Sequence, residues 1–253
     1  SRFGRDHFAV YTVAEGVEEK LRSVLDGAKT MNAGRSLPIK VGIYPDFLGV
    51  LETSIACDRA KYACDIRRKD FSSYYTYFDE SMLARENNRQ YILNNLDRAI
   101  EEGWIKAYYQ PIVRTANGRV SDEEALARWI DPERGMLSPA EFIPVLEDAK
   151  LIYKMDLYMV DLILEKMKNQ AEAGLYVVPN SVNLSRTDFD CCDIVDEICR
   201  KVDAAGIGRD MLTIEITESV LGNDFDFIKS QIDRMKKLGF KVWMTISEAV
   251  IPR

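Results

Sequence analysis

Residues 123–129 read Glu-Glu-Ala-Leu-Ala-Arg-Trp, and this stretch decides the fold class. Side chains on a β-strand alternate between its two faces. Glu124, Leu126 and Arg128 therefore share one face, and the two alanines share the other with Trp129. The alternation predicts a strand, which we place at Val120–Trp129.

Strands and helices alternate along the chain after Trp104. We predict five strands, at Ile105–Val113, Val120–Trp129, Val177–Leu184, Leu212–Thr217 and Lys241–Met244. We predict helices at Pro139–Asp148, Lys154–Ala173, Asp188–Ala205 and Asp224–Leu238, with Gly206 and Gly239 just past helix ends. Units of this length indicate a (β/α) barrel, which needs eight strands and about 250 residues. Because about 150 residues follow Trp104, we expect an incomplete TIM-like barrel that stops after its fifth strand.

The first 80 or so residues alternate in a different way and predict a separate α/β fragment. Its order is strand, helix, strand, helix, strand. The predicted elements are a strand at Phe8–Val13, a helix through Val17, Leu21, Val24 and Leu25, a strand at Ile39–Tyr44, a helix at Leu51–Ile66 and a strand at Tyr74–Phe78. A helix-rich stretch at Glu80–Glu102 would join the two parts.

Composition limits the kinds of partner. The net charge of −7 argues against binding of a nucleic acid polymer, because phosphate affinity comes largely from Lys and Arg. The apolar runs are far shorter than the roughly 20 residues of a membrane span, and no signal peptide is visible. Five cysteines without a metal-type CxxC pair indicate free thiols in a reducing compartment. We therefore expect a cytoplasmic protein.

Polar residues near the ends of three predicted strands form a candidate site. Glu124, Asn183 and Glu215 lie on strands whose C-terminal ends would converge, where such barrels place active sites. Two carboxylates and an amide oxygen suit Mg²⁺ or Mn²⁺, and the guanidinium of Arg128 could hold a phosphate. Other interpretations stay open: Glu215 could be a solvated strand residue, Asn183 could satisfy a turn, and Arg128 could form a structural ion pair. The pattern alone indicates a possible metal site.

Five motifs in order and approximate spacing resemble an EAL domain of cyclic-di-GMP signalling proteins. They are Gln110-Pro111-Ile112-Val113, Glu124-Ala125-Leu126-Ala127-Arg128-Trp129, Ser138-Pro139-Ala140-Glu141-Phe142-Ile143-Pro144, Ser181-Val182-Asn183-Leu184-Ser185 and Glu215-Ile216-Thr217-Glu218-Ser219. Several motifs in register make a more specific match than any one of them. The resemblance places the EAL domain at residues 83–253.

The resemblance implies a metal-dependent phosphodiesterase that hydrolyses cyclic-di-GMP to linear pGpG. By this resemblance the metal ligands for Mg²⁺ or Mn²⁺ are Glu124, Asn183 and Glu215. The substrate-binding residues are Gln110, Leu126 and Arg128, with Arg128 at a phosphate. The alternative is a non-catalytic module that binds cyclic-di-GMP or a protein partner.

Residues 1–82 resemble the second half of a GGDEF domain, the diguanylate cyclase fold. The signature reads Gly4-Arg5-Asp6-His7-Phe8. Arg5 stands where the family has a glycine close to the nucleotide, and His7 stands at an acidic position that binds metal. We therefore expect a degenerate GGDEF fragment that is not a diguanylate cyclase, with His7 in a surface turn.

The last nine residues depart from the EAL pattern. Where the family continues with Asp-Asp-Phe-Gly-Ser-Gly-Tyr-Ser-Ser, this chain reads Thr-Ile-Ser-Glu-Ala-Val-Ile-Pro-Arg at residues 245–253. The family segment can be written GAC GAT TTC GGA AGC GGT TAT TCC TCG. Without its first G it encodes Thr-Ile-Ser-Glu-Ala-Val-Ile-Pro and then Arg, so we interpret this segment as frame-shifted. The alternative is a naturally divergent tail.

The frame-shifted segment has two expected consequences. The metal-binding aspartates and the family's later lysine and glutamate are missing, so we expect an inactive chain with no assignable catalytic residue. Strand Lys241–Met244 would be an exposed barrel edge, which favours a homo-oligomer or a fragile fold.

Overall fold

The computed structural model describes residues 7–30, 38–66, 74–217 and 225–245. The chain forms two compact units, Ser1–Asn88 and Arg89–Arg253. In the described part, no helix is long and apolar enough to cross a membrane. All five cysteines lie in this part, and none of them forms a disulfide.

The first unit contains a small parallel sheet. Helix α1 (Val17–Thr30) precedes β1 (Lys40–Ile43), and α2 (Thr53–Asp65) connects β1 to β2 (Tyr74–Tyr77). The two strands pair in parallel, as expected for a strand–helix–strand connection. Tyr74 donates a hydrogen bond to the carbonyl of Cys64 at 2.8 Å, which ties the second strand to the end of α2.

The predicted strand at Phe8–Val13 is wrong. Its backbone is irregular apart from a single bridge at Phe8, and α1 follows at Val17. The side chains of Phe8, Val10 and Tyr11 are 70%, 82% and 103% exposed. Since no face of this segment is buried, its apolar residues gain nothing from the extended pairing that their β-propensity suggests.

The second unit is built on a six-stranded sheet. Helix α3 (Glu80–Glu101) leads into an antiparallel pair, β3 (Ile105–Val113) and β4 (Val120–Asp131). The short β5 (Gly135–Leu137) folds back on β4, and β6 (Asn180–Leu184), β7 (Leu212–Thr217) and β8 (Lys241–Thr245) continue the sheet in parallel. The strand order is β3-β4-β6-β7-β8. Among the described residues the sheet stays open, with β3 and β8 at its two ends.

Helices cover one face of this sheet. They are α4 (Pro139–Asp148), α5 (Ile152–Glu172), α6 (Arg186–Cys191), α7 (Ile194–Ala205) and α8 (Phe225–Lys237). The core between them and the sheet contains Trp129, Val182 and Ile214, each at most 1% exposed. These residues occupy the opposite strand face from Glu124, so the alternation read from the sequence is confirmed.

Capping residues set the helix boundaries. The helix predicted at Asp188–Ala205 is two helices, because Cys192 is extended and Asp193 accepts a hydrogen bond from the backbone N–H of Asp196 to start α7. Gly206 ends α7 with φ +68°, as predicted for a left-handed C-cap. The strand predicted from Val177 begins later, at Asn180.

Candidate metal and nucleotide site

Glu124, Asn183 and Glu215 lie on three neighbouring strands and share one face of the sheet. Glu124 is in register with Ser181 on β6, and Asn183 is directly opposite Glu215 on β7. Because strand residues alternate, the three side chains project from the face that the helices leave uncovered. The predicted convergence of these residues is therefore present in the structure.

Two of these side chains are in direct contact. The amide nitrogen of Asn183 donates to a carboxylate oxygen of Glu124 at 3.2 Å. Adjacent strands lie about 4.8 Å apart, so the in-register Glu215 is one strand spacing from Asn183. The arrangement places one carboxylate on each side of the Asn183 amide.

Glu215 is the most buried member of the site, at 5% exposed. Burial raises the pKa of the Glu215 carboxyl, and the nearby negative charge of Glu124 raises it further. The buried Ser181 hydroxyl, on the same face of the neighbouring strand, partly opposes this shift. A buried carboxylate beside a second carboxylate favours a bound cation, because positive charge relieves both desolvation and repulsion.

The donor set fits a hard divalent cation in its chemistry. Glu124, Glu215 and Asn183 would supply oxygen ligands, which Mg²⁺ and Mn²⁺ prefer. Since the Asn183 amide nitrogen now donates to Glu124, the amide would have to present its oxygen to a metal. In the described part of the chain, no group of three or more His, Cys, Asp or Glu side chains is arranged to hold a metal.

The three predicted substrate-binding residues lie on the same face of the antiparallel pair. Gln110 is in register with Glu124, and Leu126 is in register with Tyr108. Arg128 is four residues beyond Glu124, about 13 Å along the strand. Its guanidinium donates to the Ala127 carbonyl at 2.9 Å and lies 5.8 Å from the centre of the Tyr108 ring. Gln110 thus adjoins the carboxylates, and Arg128 marks the far side of the site.

The match to a family of known proteins now decides what kind of domain this is. Residues 93–247 match the model of the EAL domain, over more than half of the chain. The chain belongs to the EAL domain family.

Several bacterial proteins that are longer than this chain are similar to it. The bifunctional diguanylate cyclase/cyclic di-GMP phosphodiesterase MucR of Pseudomonas aeruginosa is 27% identical over 81% of this chain and 30% of its own length. The solved structure described as the PaMucR phosphodiesterase in complex with c-di-GMP has a TM-score of 0.56 at 26% identity, covering 64% of this chain and 65% of that one. The chain spans between 19% and 40% of the length of these curated relatives.

A longer structural match extends beyond the EAL domain. The S helix-GGDEF-EAL fragment of Vibrio cholerae LapD, bound to c-di-GMP, has a TM-score of 0.56 and covers 95% of this chain and 56% of its own. At 13% identity this likeness concerns the fold alone.

A buried acidic cluster behind β6 of the EAL domain escaped the sequence reasoning. The Asp188 carboxylate accepts the backbone N–H of Ser185 at 2.7 Å, and the Ser185 hydroxyl donates to Glu147 at 2.7 Å. Asp156 on α5 and Asp188 on α6 are 6% and 0% exposed. The spacing of Ser185 and Asp188 forms a capping box, and this pattern could have been recognised in the sequence. No sequence pattern indicates that Asp156 is buried.

These two buried acids hold protons more tightly than usual. Burial raises the pKa of Asp188 to about 6, with Glu147 adding to the shift while Asp156 and the Ser185 N–H lower it. Burial and the neighbouring charge of Asp188 raise the pKa of Asp156 well above its ordinary value. The second oxygen of Asp188 is buried without a hydrogen-bond partner. The cluster therefore favours a proton on this pair of carboxyls at a pH where ordinary aspartates are ionised.

A second unpredicted cluster fastens α5 to the sheet. The Lys166 ammonium forms an ion pair with Glu123 and donates to Asn180 at 3.1 Å. It also lies 3.7 Å from the centre of the Tyr109 ring. Burial and the charge of Glu123 raise the pKa of Tyr109 to about 12. Glu123 thus faces the helices, whereas its neighbour Glu124 faces the site.

Proposed function

We propose that this chain is a cyclic-di-GMP signalling protein whose EAL domain is of the metal-dependent phosphodiesterase type and binds cyclic-di-GMP without hydrolysing it. The observation that carries the proposal is the meeting of Glu124, Asn183 and Glu215 on one sheet face, with Asn183 3.2 Å from Glu124. The family match and the c-di-GMP complexes of its structural neighbours support the choice of ligand.

Glu124, Asn183 and Glu215 would hold Mg²⁺ or Mn²⁺. When bound, such an ion supplies positive charge to a phosphate and lowers the pKa of a bound water. Gln110 and Leu126 would contact the nucleotide beside the ion. Arg128 would hold a phosphate through its planar guanidinium. To do so it would exchange its hydrogen bond to the Ala127 carbonyl for one to the phosphate.

The expected loss of hydrolysis rests on residues 245–246. Thr245 ends β8 and Ile246 follows it, where related EAL domains have two metal-binding aspartates. Without these carboxylates a second metal lacks its bridging ligands, so the site would bind substrate more readily than it would turn it over. Residues 246–253 lie outside the described residues, and the frame-slip hypothesis for this segment stays a prediction. The gene sequence across the Met244 codon tests it.

For residues 1–82 we propose a degenerate GGDEF fragment without cyclase activity. The parallel strands β1 and β2 joined through α2 and the fold likeness to the LapD fragment support this proposal. His7 is exposed, while Arg5 lies outside the described residues. The structure divides the chain at Asn88, six residues after the boundary proposed from the sequence.

A second candidate function is a partner-binding module that uses its open sheet edge. In the described part, β8 pairs with β7 alone, and Trp243 and Met244 are 37% and 50% exposed. An unpaired edge with exposed apolar side chains favours pairing with another copy of the chain. Light scattering at micromolar concentration would show a dimer or larger assembly, and a stable monomer would contradict this candidate.

Turnover and binding together test the main proposal. The protein is incubated with cyclic-di-GMP and Mn²⁺, the products are separated by anion-exchange chromatography, and the melting temperature is measured with and without nucleotide. We expect a raised melting temperature without pGpG, because a ligand that binds the native state stabilises it. Formation of pGpG would show a competent phosphodiesterase, and the absence of both effects would contradict the proposal.

A further inference from the structure

Two large aromatic rings are exposed on the face that carries the candidate site. Tyr108 on β3 is 46% exposed, and Trp243 on β8 is 37% exposed. Tyr108 is in register with Leu126, and Trp243 is in register with Glu215. Continuing the register across the sheet puts both rings at the ends of one row that contains Leu126, Asn183 and Glu215.

Among the described residues, these two rings are only partly packed. Trp129, on the opposite face of β4, is fully buried in the core against Phe142. Tyr108 and Trp243 instead lie on the face without helices, next to carboxylates and an amide. A ring left at the surface beside a polar site offers a flat apolar platform to a ligand.

The surroundings of each ring indicate the chemistry of that ligand. The Arg128 guanidinium lies 5.8 Å from the Tyr108 ring centre, so a cation suited to phosphate adjoins one ring. Glu215, a candidate metal ligand, adjoins the other. Flat apolar surface combined with phosphate-binding and metal-binding groups matches a nucleotide, whose base has a π-face and whose phosphate is anionic.

We infer that Tyr108 and Trp243 are stacking platforms for the purine bases of the nucleotide that binds this site. Four strand spacings separate β3 from β8, about 19 Å along the sheet. That separation exceeds the thickness of one sandwiched base, so each ring takes its own base. The inference rests on the proposed function and adds specificity-determining residues to it.

The test compares ligands that differ by a base and variants that differ by an aromatic ring. The full chain is titrated with 5′-GMP, with ribose 5-phosphate and with cyclic-di-GMP, each in Mg²⁺, by isothermal titration calorimetry. The variants are Tyr108→Leu and Trp243→Leu, which keep apolar volume but remove the ring, and Tyr108→Phe and Trp243→Phe, which keep a ring. Tyr176→Ala is the control, because that side chain is 84% exposed outside the sheet.

We expect each Leu variant to bind 5′-GMP and cyclic-di-GMP about tenfold more weakly, with ribose 5-phosphate binding unchanged. The Phe variants and Tyr176→Ala should bind like the original chain. Equal nucleotide affinity in the Leu and Phe variants would overturn the inference, as would equal affinity of the original chain for 5′-GMP and ribose 5-phosphate.

The same titrations separate this inference from the proposed function. If the original chain binds cyclic-di-GMP and the Leu variants match it, the stacking role fails and the function stands. If the original chain does not bind cyclic-di-GMP, the proposed function fails, and the comparison of 5′-GMP with ribose 5-phosphate still decides the role of the rings.

Discussion

Asp156 and Asp188 are two buried carboxyls, and the carboxyl of Glu147 lies near both. Their raised pKa values mean that the folded chain binds protons more tightly than the unfolded chain does. One oxygen of Asp188 is buried without a hydrogen-bond partner, which lowers the unfolding free energy.

We predict that this pair makes stability fall as pH rises. Both folded-state pKa values lie above the unfolded value of about 4. The unfolding free energy therefore falls as the pH rises from about 4 through the folded-state pKa, which is about 6 for Asp188. Asp156→Asn removes one of the titrating acids and offers an N–H donor to Asp188. The variant should be about 1 kcal/mol more stable at pH 8 and show a weaker pH dependence.

Urea unfolding at pH 5 to 8 measures this effect. Asp190→Asn is the control, because Asp190 lies on α6, two residues after Asp188, and is exposed. An unchanged slope of unfolding free energy against pH in Asp156→Asn would contradict the assignment of a proton to this pair.

Glu215 gives a second prediction at the scale of single residues. Glu215→Gln keeps the size of the side chain and removes one of two charged candidate ligands, so Mn²⁺ binding should weaken by roughly tenfold or more. Calorimetric titration with Mn²⁺ measures the change. Glu172→Gln, at an exposed helix end, should leave the affinity as it is. Equal Mn²⁺ affinity in both variants would remove Glu215 from the metal site.

Helix α5 is held to the sheet by apolar packing and by polar contacts, one of which joins Lys166 to Glu123 and Asn180. The side chains of Lys166 and Glu123 are 20% and 19% exposed, so this ion pair is mostly shielded from water. Lys166→Met leaves Glu123 without its partner in that setting and should lower the unfolding free energy by about 2 kcal/mol.

Lys168→Met is the control for this prediction. Lys168 pairs with Glu172 on the same helix at 4.0 Å, and both side chains are about two-thirds exposed. Removing such a pair should change the unfolding free energy by less than about 0.5 kcal/mol. Similar losses in the two variants, measured by urea unfolding, would show that the buried contact has no special role.

In the first unit, Gly42 sets how closely α2 approaches β1. A Cβ atom at this position would lie 1.7 Å from the carbonyl oxygen of Ala60, so the backbones would have to separate. Gly42→Ala should therefore destabilise this unit by a few kcal/mol, roughly the cost of overpacking. Gly27→Ala should be neutral or stabilising, because that glycine is helical and its Cβ would meet nothing within 4 Å.

Hydrogen exchange of the β1 amides distinguishes the two glycine variants. Faster exchange in Gly42→Ala alone is the expected result. Unchanged β1 protection in Gly42→Ala would show that α2 and β1 tolerate a wider spacing.

The sequence predicted elements well wherever periodicity and burial coincide. The faces of β4, β6 and β7 follow from alternation, because their apolar side meets helices. Phe8–Val13 has the composition of a strand but no face to bury, so local propensity misled the prediction. The break between α6 and α7 depends on Asp193 acting as a cap, and the short β5 depends on its pairing with β4; neither shows in a hydrophobic pattern.

At the scale of the whole molecule, the candidate site was accessible to sequence reasoning because its residues stand in separate motifs at strand positions. The register then confirmed that Glu124, Asn183 and Glu215 share a face. The acidic cluster was not accessible, since Asp156 comes from a helix whose buried side becomes known only when α5 packs on α6 and β6. The two exposed rings likewise acquire meaning only from the strand order, which brings β3 and β8 onto one sheet.

The most direct test of the central claim is a calorimetric titration of cyclic-di-GMP into the full chain with Mn²⁺, and into Glu124→Gln and Arg128→Ala. The account predicts saturable binding to the original chain and affinity at least about tenfold weaker in each variant. Glu124→Gln removes a metal ligand, and Arg128→Ala removes the contact to a phosphate. Binding of equal strength in all three proteins, or no binding to the original chain, would contradict it.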